Sequence, residues 1–438
     1  MTAEQAVPPL SLLIVTQRAG GKPSSAGDLP PALAPRLAAL LERVFDRPLP
    51  YRVSLWDGSS AGPADAPTLV IPTPRALRRL YFPPSALNFV RAYSAGEIRV
   101  DGDLVQFLYD IFDFLTAAMP RTTAQRGALL KRGLPAGLGL LRLGLENKAV
   151  GWPLPRPESE MRRSLRGTAA VRYHYELSND FYAMILGPTM VYSTACWSPT
   201  TPDLDSAQRN KLDIICRKLE LRPGSRLLDI GCGWGSLLLH AAEHYGVTAV
   251  GVTLSPQQAE YATTRIAATA FADRIEVRVC DYALVDDGPY DAISSIEMNS
   301  HLPRASLPGY ARTLHHLLKS GGRLLQQNIS TSDEGMRHAR RMRWLNRYVI
   351  PDTSTTTLHD CLDALGQAGL DVIDIDDITA DTEPTYRAVL ANFDHHWDSA
   401  GAEIGIEQAR AWYLFLAAFL GTAYAGWFTF EQITAVKP

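Results

Sequence analysis

Cysteine is scarce in this chain, and its few cysteines are poorly spaced for cross-linking or for binding a metal. Five occur in 438 residues, and no two of them form a C-x-x-C pair. Histidines do not compensate, because the pairs at 315–316 and 395–396 are adjacent, and adjacent residues do not share a helix face. The pattern argues against a disulfide framework, predicts no metal site and fits a reducing cytoplasm.

Net charge is also small, at −3 from 43 basic and 46 acidic residues. No overall field therefore points to nucleic acid as a partner. The one local excess lies between residues 121 and 172, where eleven lysines and arginines stand against three acids. A block of this kind is typical of a solvated linker, and it also suits the surface of an anionic membrane.

Neither a targeting segment nor a membrane span is expected. The N-terminus lacks a basic stretch followed by a long apolar run, so we predict no signal peptide. Residues 411–430 carry no charge and are long enough to cross a bilayer, but they include eight aromatic residues and overlap a strand-like run at 427–434. We therefore predict a buried helix followed by a strand, in a cytoplasmic protein.

The length and the apolar content, 46% of 438 residues, predict two folded domains. Residues 1–125 contain strand-like runs at 12–16 and 68–71 and predict a small α+β domain. A basic linker is predicted at 126–170, and the second domain spans 171–438.

From about residue 200 the pattern alternates between strand and helix. The predicted strands are 226–230, 248–253, 275–280, 292–296 and 323–329, with helices at 234–245, 256–268 and 307–318. This alternation predicts an α/β fold with a doubly wound, mostly parallel sheet and a ligand at the carboxyl ends of the strands.

A glycine-rich turn joins the first of these strands to its helix, where residues 227–235 read LLDIGCGWG. Gly231 and Gly233 let the backbone approach a ligand, and the helix N-terminus offers N–H groups to a carboxylate. A dinucleotide site would space its glycines as G-x-G-x-x-G. The spacing here, D-x-G-x-G-x-G from Asp229, instead resembles the first motif of class I methyltransferases.

The next two strands end in polar residues that suit the same ligand. Thr253 and Gln258 follow the second strand, and we expect them to hydrogen-bond the ribose and methionine portions of the cofactor. Asp281 and Tyr282 close the third strand. Asp281 either accepts a hydrogen bond from the adenine amino group or caps a helix.

Two further stretches lie outside the sheet, YHYELSNDFY at 173–182 and MVYSTACW at 190–197. With the glycine-rich turn, they closely resemble the cyclopropane-fatty-acyl-phospholipid synthase family, and the resemblance runs from about residue 171 to the C-terminus. Residues 89–103 resemble the amino-terminal lipid-binding domain of the longer bacterial members.

The resemblance implies a class I, Rossmann-like methyltransferase fold whose last strand is antiparallel, with S-adenosylmethionine as the cofactor. It implies that these residues contact the cofactor: Tyr175, Tyr192, Ser193, Gly231, Gly233, Thr253, Gln258, Asp281 and Tyr282. It also implies an unsaturated phospholipid or fatty acyl substrate and an anionic membrane surface at the inner face as partners. A homodimer is compatible with the sequence, which does not determine the oligomeric state.

Members of the family bind a bicarbonate ion as a base. Tyr386 and Gln327 resemble the tyrosine and the His/Gln that hold this ion, and Thr194 stands where many members have cysteine. Ser300, however, replaces the family's glutamate, while Glu297 resembles an acid that some members carry.

The replacement at Ser300 weakens the case for bicarbonate, because a hydroxyl cannot accept the ion's proton as a carboxylate does. Glu297 or His301 is then the candidate for a direct base, although Glu297 could instead make a cofactor-side or helix-capping contact. We hypothesise that Ser300 marks a change of product, to a methylene or methyl branch, or a change of substrate.

The sequence is therefore compatible with three functions. The first is transfer of a one-carbon unit to the double bond of an unsaturated acyl chain in phospholipid, with aromatic faces such as Tyr192, Trp197 and Tyr386 around the cation that forms. The second is C- or N-methylation of a small molecule or a free fatty acid. The third is a catalytically silent protein that binds lipid or cofactor.

Overall fold

The structure is a computed structural model. It describes residues 32–81, 85–118, 123–146, 177–338 and 356–438. Tyr175, the predicted strand at 12–16 and the part of the basic segment from 147 to 172 lie outside the described residues.

An amino-terminal unit combines helices with a small mixed sheet, as predicted. Its helices are α1 Leu33–Phe45, α2 Pro74–Tyr81, α3 Ala86–Ser94 and α4 Leu104–Ala118. Its strands are β1 Arg52–Leu55, β2 Ser60–Ala61, β3 Thr68–Ile71 and β4 Arg99–Asp101, in the order β2-β1-β3-β4. β1 pairs parallel with β3 and antiparallel with β2, and α1 buries an apolar face with helical spacing against this unit.

A long helix, α5 Thr123–Glu146, packs against α1. Gly139 permits the close approach, because a Cβ at that position would lie 2.6 Å from a methyl carbon of Leu40. Arg36 and Glu146 form an ion pair of 2.9 Å between the two helices. The predicted domain boundary after residue 125 thus falls inside a helix.

The larger unit is built on a sheet with seven strands in the described residues. The strands are β5 Arg226–Ile230, β6 Thr248–Thr253, β7 Ile275–Val279, β8 Tyr290–Ile296, β9 Leu318–Thr331, β10 Asp371–Asp377 and β11 Phe428–Val436. Their order is β10-β11-β9-β8-β5-β6-β7, and β11 runs antiparallel to both of its neighbours. The predicted mostly parallel sheet with an antiparallel last strand is confirmed.

Helices cover both faces of this sheet. They are α6 Asn179–Leu186, α7 Leu204–Lys218, α8 Ser236–Tyr245, α9 Pro256–Ala267, α10 Leu307–Leu317, α11 Asp333–His338, α12 Leu358–Gln367, α13 Thr382–His395, α14 Trp397–Ile404 and α15 Ile406–Tyr424. Strand β5 is buried over four of its five residues, the pattern of a central strand covered on both sides.

The uncharged stretch at 411–430 forms the end of α15 and the start of β11, as predicted, and α15 packs against α3 and α4. One apolar core therefore runs through both units. An ion pair between Arg387 and Asp103, 2.7 Å long, joins the two units at the surface. Among the residues described, no helix combines the length and the apolar character that a membrane crossing requires.

Candidate active site

The glycine-rich turn lies at the carboxyl end of β5, and we call its residues 231–235 the glycine corner. Gly231 and Gly233 have φ values of +80° and +53°, and the N–H groups of Gly231 and Cys232 both donate to the carbonyl of Val252, at 2.9 and 3.0 Å. The turn is therefore pinned to the end of β6. A Cβ on Gly233 would meet no atom within 4 Å, so the space above this residue can admit a ligand, and α8 begins three residues later.

The strand ends beside this corner carry the predicted polar residues. Asp229 is only 3% exposed, the Ser294 hydroxyl donates to its Oδ1 at 2.7 Å, and burial raises the pKa of its carboxyl to about 6. At the end of β6, the buried Thr253 hydroxyl donates to Oε1 of Gln258 at 2.8 Å. The carboxyl ends of β5, of β6 and of β8, the strand that carries Ser294, lie at one edge of the sheet, as the parallel topology requires.

Asp281 makes the contact that the sequence left as its alternative. Its Oδ1 accepts from the N–H of Ala283 at 2.9 Å and so caps the short turn that begins at Tyr282. The Tyr282 ring stacks edge-to-face on Tyr310, with 4.9 Å between ring centroids. Asp281 and Tyr282 both lie at the carboxyl end of β7, where we predicted a contact with the adenine of the cofactor.

The stretch around α6 covers the glycine corner. Ser178 caps the helix by accepting from the N–H of Phe181, and Asn179 Oδ1 accepts from the indole N–H of Trp234 at 2.8 Å. The rings of Tyr182 and Trp234 lie 4.7 Å apart. The motif outside the sheet is therefore built into the wall of the same site.

Helix α7 holds the segment that contains Tyr192, Ser193 and Thr194. The Gln208 amide donates to the carbonyl of Ser193 at 2.9 Å, and the Lys211 ammonium donates to the Ser193 hydroxyl. The Tyr192 ring lies near the rings of Tyr182 and Trp412, at 5.9 and 6.3 Å between centroids.

Three of the predicted catalytic residues meet in one buried cluster. The N–H of Thr194 donates to Oε1 of Glu297 at 2.8 Å, and the Gln327 amide donates both to this oxygen and to the Thr194 carbonyl, each at 2.9 Å. Gln432 donates to the Gln327 oxygen at 3.1 Å and so fixes which way that amide points. We call Thr194, Glu297, Gln327 and Lys211 the carboxylate cluster.

The electrostatics of the carboxylate cluster are set by burial. Burial raises the pKa of the Glu297 carboxyl, while the Lys211 cation and the hydrogen bonds from Thr194 and Gln327 oppose that rise. Glu297 also has φ of +54°, a backbone conformation that costs a non-glycine residue about 1–2 kcal/mol. Such strain at a buried acid is typical of a functional site.

The other predicted residues lie around this cluster. The Ser300 hydroxyl donates to the backbone carbonyl of Glu297 at 3.0 Å. Burial lowers the pKa of His301 to about 4, so its imidazole is neutral near pH 7. Tyr386 is buried in α13, with its ring 5.0 Å from that of Phe419.

Sequence reasoning missed two residues of this site. Lys211 is completely buried, and its only sequence signal was a charge in the stripe of α7 that also holds Leu212 and Ile215. Thr385 precedes Tyr386, and its hydroxyl accepts from the N–H of Ala195 at 3.1 Å. No group of three or more potential metal ligands occurs in the described part of the chain.

Strand order, glycine corner and covering helices together define a class I S-adenosylmethionine-dependent methyltransferase. The model of the mycolic acid cyclopropane synthetase family matches residues 162–433, and the chain belongs to this family. It is an enzyme, and its cofactor is S-adenosylmethionine.

Relatives match along nearly the whole chain. A probable fatty acid methyltransferase of Mycobacterium tuberculosis is 33% identical over 389 residues, which covers 84% of this chain and 87% of that protein. The tuberculostearic acid methyltransferase of the same organism is 30% identical over 421 residues, with 92% of each chain covered.

Solved structures support the same assignment. The mycolic acid cyclopropane synthase CmaA1, in complex with S-adenosylhomocysteine and CTAB, is 26% identical, with a TM-score of 0.59. The match covers 63% of this chain and all of that one. The cyclopropane synthase MmaA2 of Mycobacterium tuberculosis, 25% identical, gives the same TM-score over 62% of this chain and 98% of its own.

Proposed function

We propose that this enzyme transfers a one-carbon unit to the carbon–carbon double bond of an unsaturated fatty acyl chain carried by a phospholipid. The observation that carries the proposal is the carboxylate cluster, in which a partly buried acid is held in place by hydrogen bonds. Addition of a methyl group to an alkene leaves a cation that must lose a proton, so this chemistry needs a base. The relatives named as fatty acid methyltransferases support the lipid class.

S-adenosylmethionine supplies an electrophilic methyl group to this reaction. Candidates to hold it are Asp229, Gly231, Gly233, Thr253, Gln258, Asp281, Tyr282, Tyr192 and Ser193. The open space above Gly233 and the N-terminus of α8 fit the methionine portion, because a carboxylate is favoured where free N–H groups point outward.

The double bond is a weak nucleophile, so the enzyme's first task is to place it against the donor methyl. The new carbon–carbon bond leaves a positive charge on the neighbouring carbon of the acyl chain. Aromatic faces stabilise such a charge by about 0.5–2 kcal/mol each, and Tyr192, Trp197 and Tyr386 are the candidates. The surrounding apolar core excludes water, which would otherwise quench the cation.

Glu297 is the proposed proton acceptor. Oε1 of Glu297 accepts from the N–H of Thr194 and from the Gln327 amide, so the carboxylate is oriented, and we propose that Oε2 takes the proton. Burial raises its pKa and so makes it a stronger base than an exposed glutamate. A proton lost from the added methyl closes a cyclopropane ring, and one lost from a neighbouring chain carbon leaves a methyl branch beside a shifted double bond. If a hydride first moves from the methylated carbon to the cationic carbon, loss of a proton from the methyl leaves a methylene branch.

The environment of Ser300 supports a direct base over bicarbonate. Its hydroxyl proton is engaged by the carbonyl of Glu297, three residues earlier. An anion at this position would therefore gain neither a carboxylate partner nor a free donor from Ser300. We propose that bicarbonate is dispensable for this enzyme.

Phospholipid, rather than free acid, is proposed because of two sequence features, the lipid-domain resemblance at 89–103 and the basic excess at 121–172. A basic surface is attracted to anionic headgroups by about 1 kcal/mol for each lysine or arginine close to the membrane. The proposal therefore places the enzyme at the inner face of a membrane as a peripheral protein.

The test compares substrates at equal acyl concentration. Purified enzyme and S-adenosylmethionine are incubated with vesicles of monounsaturated phosphatidylglycerol, vesicles of the saturated analogue, or dispersed monounsaturated free acid, and formation of S-adenosylhomocysteine is followed. We expect turnover only with the first. Turnover confined to the free acid would favour the second function, and cofactor binding without turnover on any lipid would favour a silent binding protein.

A further inference from the structure

Lys211 is a buried cation to which the proposed reaction assigns no role. Its side chain is completely enclosed in the structure, in the middle of α7, and a lysine in such a place needs a partner because burial disfavours its charge. The partner is the Ser193 hydroxyl, to which the ammonium donates. The carboxylate of Glu297 also acts on its charge.

The contact with Ser193 fixes the direction of a proton. An ammonium group can only donate, so the Ser193 oxygen accepts from Lys211 and the hydroxyl proton of Ser193 must point to another acceptor. The Ser193 carbonyl is already held by the Gln208 amide at 2.9 Å, from the same helix. Ser193 is therefore held by α7 at both its backbone and its side chain.

The next residue is held from the opposite side. The N–H of Thr194 donates to Glu297 Oε1 at 2.8 Å, and Gln327 bridges this oxygen and the Thr194 carbonyl. The segment with Ser193 and Thr194 thus lies between a buried cation and a buried acid. Removal of either charge is expected to disturb the other's environment.

We propose that Lys211 is a positioning residue, which directs the Ser193 hydroxyl proton toward the cofactor and supplies the positive charge opposite Glu297. The inference rests on the proposed cofactor contact of Ser193, and it does not depend on which lipid is the substrate. It assigns a role to a residue that acts through Ser193 and Glu297.

The charge of Lys211 is titratable in an accessible range. Burial lowers its pKa to about 8, against the opposing effects of Glu297 and Cys196. Burial raises the pKa of the Cys196 thiol to about 11, and the carboxylate of Asp381, just before α13, raises it further. The ammonium is present at about pH 7 and is lost as the pH rises through about 8. Above that pH the neutral amine can also accept a hydrogen bond, so the Ser193 hydroxyl proton is no longer forced toward another acceptor, and the positive charge opposite Glu297 is gone.

The test is calorimetric binding of S-adenosylhomocysteine, which requires no lipid and so separates this inference from the substrate proposal. Wild type, Lys211→Met and Lys211→Arg are compared at about pH 7 and about pH 9.5. We expect Lys211→Met to bind about tenfold more weakly at the lower pH and to show little pH dependence, whereas wild type loses a similar factor only at the higher pH. Lys211→Arg stays charged and should show no alkaline loss.

Two further variants keep the test sharp. Lys218→Met makes the same replacement at another position of the same helix. The Lys218 ammonium lies 3.2 Å from the carboxylate of Asp374, outside the carboxylate cluster, so this variant should bind S-adenosylhomocysteine like wild type. Ser193→Ala removes the group through which Lys211 acts, so adding Lys211→Met to it should cause no additional loss. Wild-type affinity for Lys211→Met, or additive losses in the double variant, would overturn the proposal. If Lys211→Met does not fold, the comparison of wild type with Lys211→Arg at about pH 9.5 decides the matter, and equal affinities there contradict it.

Discussion

Replacement of Glu297 by glutamine tests the chemistry of the site with the smallest change of shape. Glutamine keeps one oxygen that can accept from Thr194 and Gln327, which donate at 2.8 and 2.9 Å, but it carries no charge and cannot take a proton. A general base contributes about 10²–10⁴-fold to a rate. We therefore expect Glu297→Gln to lower turnover by about that factor.

The same replacement has a cost for folding that the structure allows us to gauge. Hydrogen bonds to a charged acceptor contribute about 1.5–3 kcal/mol, against about 0.5–1.5 kcal/mol for a neutral one, so two weakened bonds lose about 2 kcal/mol together. Lys211 also loses its counter-charge. Burial raises the pKa of Glu297 in spite of these bonds, so its charge is itself costly in the folded state and its removal offsets the weakened hydrogen bonds. We expect the free energy of unfolding to change by less than about 2 kcal/mol, and adding Lys211→Met to stabilise the single variant by removing an unpaired buried cation.

The assays are the initial rate of methyl transfer from labelled S-adenosylmethionine, denaturant unfolding, and calorimetry with S-adenosylhomocysteine to verify the cofactor site. Glu431→Gln is the matched control, because Glu431 is a buried glutamate that accepts from Ser330 at 2.7 Å, yet it lies outside the carboxylate cluster. Its turnover should match that of wild type. A Glu297→Gln enzyme that binds cofactor and keeps more than a tenth of wild-type turnover would refute Glu297 as the base.

Three other predictions follow from the same geometry. Ser300→Glu places a carboxylate where the sequence resemblance implies one, so we expect product formation to become dependent on added bicarbonate. Unchanged products and an unchanged response to bicarbonate would reject a role for Ser300. Gly233 and Gly224 both have a positive φ and open space around the position of a Cβ, so replacing either by alanine should lower the free energy of unfolding by about 1 kcal/mol. Only Gly233→Ala should weaken the binding of S-adenosylhomocysteine, by about tenfold or more. Equal affinities of the two variants would place the cofactor elsewhere. Asp229 has its pKa raised to about 6, so its folded form binds a proton more tightly than the unfolded chain. This contribution to stability is present below about pH 4 and is lost as the pH rises through about 6, by about 2–3 kcal/mol, and Asp229→Asn should lack that decline in urea unfolding.

The fold of the larger unit was predictable because its signals are local. Strands β5 and β6 have the predicted bounds, and the change from period two to helical spacing locates α8 and α9 within two residues. Strand β9 begins five residues before its predicted start, since its ends pair with β8 and β11 and such pairing leaves little trace in a single segment.

The candidate site was predictable only in part. Thr194, Glu297 and Gln327 were each chosen by resemblance, and the structure brings them within hydrogen-bond distance across 103 and 133 residues of chain. Lys211 escaped notice because a lysine on a helix is normally solvated, and its burial depends on how α7 packs. The capping contact of Asp281, which the sequence left as an alternative, is present in the structure, and its contact with adenine stays a prediction.

The most direct test of the central claim is the fate of a ¹³C-labelled methyl group. The enzyme is incubated with methyl-labelled S-adenosylmethionine and monounsaturated phospholipid vesicles, and the lipid is analysed by NMR, since a cyclopropane and a methylene branch have the same mass. We predict that the label is bonded to a carbon of the former double bond, with one S-adenosylhomocysteine formed for each label transferred. Label found on a headgroup, on a heteroatom or in no lipid would contradict the account.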